Sequence, residues 1–312
     1  MTQLTQTYGV IQFGNADALT KVELTLSQLD VNKVRIKLIS SSVNPIDAKT
    51  RQGLGFVAKE KAQDQFMPLG YDAFGIIEQV GESESDLTVG QHVIGMVGFA
   101  HSPGCYSTYL DVCPSELIVV NAQETAEIAG LCLAGLTALQ ALRLFEDVNS
   151  KPIFITAPTG GVGHLAIQIA KTLGLDVIAL TTRPAHPLLK SLNVKVLGYD
   201  DFYKQQHDAA LLDLVGGERG LNLLNYITRE NMIVTVPTLS KDLICAKANE
   251  LGQNATGVVV NAVHEDLKWL YSVYKSGKIN VHQDESFSLE NVSDAHHYME
   301  NNNYCGKIII TA

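Results

Sequence analysis

Charge is sparse in this chain. Asp, Glu, Lys and Arg make up 18% of its 312 residues against 46% apolar residues, which excludes a disordered polyelectrolyte and fits a folded globular protein. Basic residues are scarcer than acidic ones, and the formal net charge of −10 argues against nucleic-acid binding, which depends on Lys and Arg neutralising phosphates. One local basic pocket for a phosphorylated ligand stays compatible with that balance. Long apolar runs are missing: stretches such as 209–215 and 257–263 fall far below the ~20 residues that span a bilayer, so no membrane association is expected. The opening MTQLTQTYGVIQFG lacks a basic start and an apolar signal core, which points away from export. Cysteines are few and odd in number, at 105, 113, 132, 245 and 305, so no disulfide framework is expected and a reducing cytoplasm fits. Internal repeats and low-complexity tracts are absent as well.

What is present divides the chain. Its length favours two domains. In the first third, residues 34–39 alternate apolar and polar side chains, and 75–80 and 92–97 are further strand candidates. Gly81, Gly90, Gly95 and Gly98 punctuate this region, and short strands at such spacing suggest a barrel-like or sandwich domain. After about residue 122 the pattern becomes strand–helix alternation. A helix over 126–144 precedes strands at 153–156, 176–180, 194–197, 209–214, 232–236 and 256–260, with helices at 165–173 and 187–192. Such alternation predicts an α/β, doubly wound domain with a parallel sheet. The tail adds helices at 264–276 and 293–300 and a closing strand at 307–311, read as a return to the first domain.

The segment between residues 153 and 171, IFITAPTGGVGHLAIQIAK, sets its glycines between a strand and a helix. Gly160 lets backbone approach a pyrophosphate, Gly163 lets helix pack on strand, and the helix start offers free N–H donors. Thr159, Gly160, Gly161, Val162 and Gly163 are therefore candidate dinucleotide contacts. The fingerprint's first glycine falls at Pro158, a departure from the usual opening. An NAD site usually carries an acid at the end of the next strand, but Thr182 and Arg183 stand there. Arg183 can pair with a 2′-phosphate that an acid would repel, which favours NADPH; the alternative is a solvated loop arginine before Pro184.

Four segments carry a resemblance that runs almost end to end. Ser42-Val-Asn-Pro-Ile-Asp-Ala-Lys-Thr-Arg-Gln-Gly53, Gly70-Tyr-Asp-Ala-Phe-Gly75, Leu133-Ala-Gly-Leu-Thr-Ala-Leu-Gln-Ala141 and Leu212-Asp-Leu-Val-Gly-Gly217 resemble the medium-chain dehydrogenase/reductase superfamily, in its zinc-free quinone oxidoreductase and alkenal (enone) reductase branch. The resemblance implies a GroES-like β-barrel catalytic domain from residues 1–122 and 262–312, around a Rossmann NADP-binding domain at 123–261. It also implies a cleft between the two and a homodimer joined edge to edge through the Rossmann sheets. Where zinc-dependent members place their catalytic Cys, His and third ligand, this chain has Asn44, Tyr71 and Leu133, so no metal is expected. The four closely spaced cysteines of a structural-zinc lobe are also missing.

Carried over residue by residue, Asn44 is the residue near the nicotinamide, with turn formation before Pro45 as its alternative. Thr137 matches a contact to the nicotinamide ribose, or is simply buried in its helix. Tyr71 is expected to face the cleft and donate to a substrate oxygen, or to serve as an aromatic wall. Tyr199 matches a contact to the adenosine phosphate. Val236, Pro237, Val260 and Asn261 end strands that face the cofactor. Asp47, Asp72 and Asp213 read as structural, and His296 and His297 as packed or solvated. The expected activity is zinc-independent, NADPH-dependent hydride transfer to a quinone or an α,β-unsaturated carbonyl compound. The competing readings are a non-enzymatic NADPH-binding protein, such as a redox sensor or crystallin-like protein, and an enoyl-thioester reductase. The latter would need a basic strip for carrier phosphates, and the sequence offers none.

Overall fold

A computed structural model describes residues 4–59, 61, 64–82, 86–99, 101, 103–145 and 151–312. The chain divides into one unit of Met1–Leu133, Ala262–Ser272 and Val281–Ala312, and a second of Ala134–Asn261 and Val273–Asn280. Residues 123–133 thus group with the first unit and 273–280 with the second, whereas the sequence reading set the boundaries at 122 and 262.

The first unit is built on strand Val34–Val43, which is longer than the alternation at 34–39 suggested because its end remains buried through Val43. It pairs antiparallel with Asp72–Val80 on one side. Its other side is shared: Val34–Lys37 pairs with Tyr109–Val112, and Ser40–Val43 pairs with Ile308–Thr311. His92–Met96 and Leu117–Val120 extend the sheet beyond Asp72–Val80, and Gln283–Ser288 lies parallel to Lys307–Thr311 at the opposite end. The closing strand at 307–311 has the expected bounds and does return to this unit. A smaller sheet, in the order Thr20–Thr25, Leu4–Val10, Met67–Pro68, was not visible in the sequence. Val34, Ile36, Ala73, Ile77, Val93 and Leu117 meet in one apolar cluster; Val10, Leu69, Tyr106, Val292 and Ile308 meet in another.

The second unit holds a parallel sheet in the order Lys195–Gly198, Val177–Thr181, Ile153–Thr156, Ala210–Asp213, Met232–Thr235, Asn254–Gly257. Strand order reverses between Ile153–Thr156 and Ala210–Asp213, which is where doubly wound sheets place their ligands, outside the carboxyl ends of the strands. Thr156 ties these two strands together there: its hydroxyl accepts from Leu214 N–H at 2.7 Å. The central strands are buried throughout and apolar up to their last residues, Thr156 and Asp213, as a sheet covered on both faces requires.

Ala126–Arg143 is long and apolar enough to cross a membrane by length and composition, contrary to the impression left by the shorter runs. It is 78% buried inside the protein, which identifies it as a core element. It is also not one helix: Ala126–Leu131 is 3₁₀ and Cys132–Arg143 is α-helical.

Candidate active site

In the second unit, Ile153–Thr156 runs through a tight turn into helix Gly161–Thr172, with Gly160 as its N-cap. The missing first glycine is replaced by strain one residue earlier: Ala157 adopts φ 44°, a left-handed conformation that costs a non-glycine residue roughly 1 kcal/mol or more. The turn closes with Gly160 N–H donating to Ala157 O at 3.0 Å. A Cβ on Gly163 would meet that same carbonyl oxygen at 2.2 Å, so only glycine lets the helix sit this close to the strand end. Gly161, Val162 and Gly163 occupy the first helical turn, whose amides have no intrahelical acceptor. Together with the helix dipole they make a cradle suited to a pyrophosphate.

Arg183 follows strand Val177–Thr181, with its N–H anchored on Thr181 Oγ1 at 3.0 Å. Its guanidinium reaches back to the glycine turn, where Nη2 donates to Thr159 Oγ1 at 2.9 Å. The structure therefore brings Thr159 and Arg183 together and sets a fixed cation beside the cradle. Thr182 is exposed next to it. Tyr199 is almost fully buried in an apolar cluster with Phe202 and Leu211. Arg219 lies over its ring, with the guanidinium carbon 4.9 Å from the ring centroid. Burial pushes the Tyr199 phenol up to about 12, with Arg219 opposing the shift, so it stays protonated. Arg219 was missed in the sequence, where nothing distinguishes it from a surface helix residue.

Val236 follows strand Met232–Thr235 directly and donates from its N–H to Asp213 O at 3.0 Å. Pro237 comes next, close to Gly216. Asp213 is structural, as expected: Oδ1 accepts from Val215 and Gly216 N–H, and Oδ2 from Thr235 Oγ1 at 2.8 Å. Val260 and Asn261 do not end a strand, because pairing stops at Gly257. Their place is set instead by Gln140, whose amide donates to Asn261 O at 2.9 Å and accepts from Asn261 N–H at 3.0 Å. Thr137 lies one helical turn before Gln140 and is buried.

In the first unit, Asn44 caps helix Pro45–Arg51, and its amide is locked at both ends. Nδ2 donates to Asp72 Oδ2 at 2.8 Å, and Oδ1 accepts from the Lys307 ammonium. Asp72 also accepts from Ser42 Oγ and, at 2.7 Å, from Leu133 N–H, while Lys307 lies 3.4 Å from Asp72 Oδ2. All of these side chains are buried. Lys307 was read only as the start of a strand; the available signal was a lysine opening an otherwise isoleucine-rich segment. Tyr71 is buried, with its ring 5.3 Å from Phe99. Its hydroxyl has no hydrogen-bond partner among the described residues, a costly state for a buried donor. Burial, with Asp47 and Cys105 nearby, holds its phenol well above the ordinary tyrosine range.

Asp47 joins a buried chain: Oδ2 accepts from Asn44 N–H at 2.8 Å and from Tyr106 OH at 3.0 Å, and Tyr106 OH lies 3.3 Å from His296 Nε2. His296 is packed, whereas His297 meets Asp17 at the surface. Burial pushes the Asp47 carboxyl from 3.8 up to about 7, aided by Asp72 and opposed by the Asn44 amide. Burial, aided by Arg51 and His297, brings His296 from 6.5 down to about 3. The signs oppose each other. Asp47 contributes stability that is complete below pH 3.8 and is lost as pH rises through about 7. His296 contributes stability that is complete above pH 6.5 and is lost as pH falls through about 3. Asp47→Asn is expected to remove the first trend and leave stability rising with pH up to about 6.5. At about 1.4 kcal/mol per pH unit, the variant should exceed the parent at pH 8 by at most roughly 4 kcal/mol. Urea unfolding at pH 4.5 and pH 8 would read this, and parallel profiles for the two proteins would refute it.

Two family models match the chain: an alcohol dehydrogenase GroES-like domain over residues 30–140 and a zinc-binding dehydrogenase domain over 198–310. The solved quinone oxidoreductase from Coxiella burnetii is 32% identical, with a TM-score of 0.93 over 99% of this chain and 100% of that one. A 2-methylene-furan-3-one reductase of Solanum lycopersicum is 29% identical over 96% of this chain and 76% of its own. A chloroplastic NADPH-dependent alkenal/one oxidoreductase of Arabidopsis thaliana is 28% identical over 96% and 77%. The chain belongs to the medium-chain dehydrogenase/reductase superfamily, as an oxidoreductase of its quinone and enone reductase branch.

Proposed function

We propose that the protein is a zinc-independent, NADPH-dependent reductase that passes hydride to a quinone or an α,β-unsaturated carbonyl compound. The observation that carries this reading is the Arg183–Thr159 contact at 2.9 Å beside the glycine cradle. It supplies a fixed guanidinium for a 2′-phosphate in a place where an NAD site usually has an acid. The names of the relatives, quinone oxidoreductase and alkenal/one oxidoreductase, support the substrate class.

When bound, NADPH supplies the hydride. The amides of Gly161, Val162 and Gly163 hold its pyrophosphate, with Thr159 and Gly160 shaping the turn. Arg183 and Thr182 hold the phosphorylated ribose, and Tyr199 lies on the adenosine side. Val236, Pro237, Val260 and Asn261 are assigned to the carboxamide. The N–H groups of Val236 and Asn261 are already spent on Asp213 and Gln140, so these two residues and Pro237 offer carbonyl oxygens, and Gln140 keeps Asn261 in place. Thr137 and Asn44 are assigned to the nicotinamide end. Tyr71, a buried hydroxyl without a partner among the described residues, donates a hydrogen bond to the substrate oxygen as negative charge develops there. Its raised pKa keeps the phenol intact, so the product's proton comes from solvent.

Donor chemistry supports the absence of zinc. The Asn44 amide is spent on Asp72 and Lys307, Leu133 has no donor side chain, and the Lys307 ammonium beside Asn44 would repel a divalent ion. We further assign a homodimer joined through Asn254–Gly257, which forms an edge of its sheet; sedimentation would test this.

The purified protein should oxidise NADPH with 1,4-naphthoquinone, 9,10-phenanthrenequinone or a short enal, at a rate unchanged by dialysis against a chelator. Tight NADPH binding with no turnover across that panel would leave a nucleotide-binding protein and remove the proposal.

A further inference from the structure

The geometry points to a transition-metal site formed by His282, Asp284 and Cys305 of the first unit, suited to Zn²⁺ and separate from the positions of Asn44, Tyr71 and Leu133. Three ligand types converge: imidazole nitrogen, carboxylate oxygen and thiol sulfur, all within 4.8 Å of one another. Cys305 Sγ lies 3.3 Å from His282 Nε2 and 3.1 Å from Asp284 Oδ1. Tetrahedral zinc, with bonds of about 2.3 Å to sulfur and about 2.0–2.2 Å to nitrogen and oxygen, needs ligand–ligand edges of roughly 3.5 Å. The two edges to sulfur would have to open by up to about half an ångström, and the His282–Asp284 edge, which is at most 4.8 Å, would settle near that same length.

Three backbone features aim these groups at one point. His282 immediately precedes strand Gln283–Ser288, and Cys305 stands two residues before strand Lys307–Thr311. The two strands pair in parallel, with a register shift between Gln283 and Glu285, which places Asp284 at a bulge, a device that re-aims a side chain. Gly306 has φ 69°, and a Cβ there would meet His282 O at 2.0 Å. Only glycine lets the segment bearing Cys305 approach His282 so closely. The outer contact is present too: Tyr298 OH donates to Asp284 Oδ2 at 2.8 Å, leaving Oδ1 directed at the thiol. Ligating carboxylates are characteristically held by such outer hydrogen bonds.

The ligand set selects the ion. A thiolate with an imidazole favours zinc and its soft neighbours over magnesium or calcium, which take oxygen. On binding, the sulfur–metal bond forms as the Cys305 thiol loses its proton to solvent, and three protein ligands leave a fourth position for water. The ion would clamp the entries of two paired strands, which is a structural role.

The test uses the full chain, treated with chelator and titrated with Co²⁺ as a spectroscopic probe and with Zn²⁺. Binding of one ion per chain is expected, with a thiolate-to-cobalt charge-transfer band in the near ultraviolet, release of protons and a rise in Tm. Cys305→Ser should lose the band, while Cys113→Ser and Cys245→Ser should keep it. His282→Gln alters a side chain at least partly open to solvent, and circular dichroism would check that the fold is kept; it and Tyr298→Phe should each weaken affinity by at least about tenfold. Absence of the band in the parent protein, or its persistence in Cys305→Ser, would overturn the assignment. So would unchanged affinity in His282→Gln. Because NADPH turnover is not read, the outcome is independent of the proposed activity.

Discussion

Arg183→Ala is expected to weaken NADPH binding by about 10- to 100-fold while leaving NADH binding unchanged. A hydrogen-bonded ion pair to a charged group contributes roughly 1.5–3 kcal/mol, and about 1.4 kcal/mol corresponds to a factor of ten. The effect is selective because only NADPH carries the 2′-phosphate. Arg183 also needs little ordering on binding, since its guanidinium is already docked on Thr159, and preorganisation of this kind lowers the cost of association. Thr159→Val should therefore reproduce the loss in milder form. Fluorescence titrations with both nucleotides would measure it, and an equal loss for NADPH and NADH would remove the assigned role of Arg183.

Lys307→Met should be the most destabilising single change in the first unit, at about 3–5 kcal/mol, because it strips a buried carboxylate of its cation. The ammonium donates to Val43 O at 3.2 Å and to Asn44 Oδ1, and lies 3.4 Å from Asp72 Oδ2. Its removal takes a donor from Val43 O and Asn44 Oδ1 and leaves the Asp72 charge uncompensated, although Asp72 still accepts from Ser42, Asn44 and Leu133. The double variant Asp72→Asn/Lys307→Met should recover part of the loss, since the uncompensated charge is then gone and one amide oxygen still serves the Ser42 and Asn44 donors that meet Oδ2, at the cost of the Leu133 N–H bond to Oδ1. Additive losses in a double-mutant cycle would show that the Lys307–Asp72 contact does not stabilise the fold.

Much of the second unit could be read from the sequence because its signals are local. A buried parallel strand is an apolar run, the glycine turn lies between such a run and an amphipathic helix, and the acid missing after residue 180 is noticed within a few positions. The first unit was harder for equally physical reasons. Gln283–Ser288 and Thr20–Thr25 are largely solvent-facing edge strands, so they carry no apolar alternation. Tyr109–Val112 owes its existence to a partner some seventy residues earlier, at Val34–Lys37. The lock on Asn44 was invisible because Lys307 and Asp72 are joined only by the fold. Arg219, which covers the Tyr199 ring, escaped for the same reason. Val260 and Asn261 were placed at a strand end because 256–260 is a short apolar run, yet pairing ends at Gly257 and a glutamine side chain takes over.

The strand that completes the first sheet comes after the whole of the second unit in the chain. On the ribosome, domains tend to fold in the order they emerge, but here Val34–Val43 must wait for residues 308–311 before its upper edge is covered. Until then Asp72 has no ammonium beside it, and the unpaired backbone edge at Ser40–Val43 is open to any passing strand. Residues 134–261, by contrast, hold all six strands of their sheet. The nascent protein should therefore acquire a finished nucleotide-type sheet while its older half is still waiting. Slow termination or loss of the last few residues would harm the part that was made first.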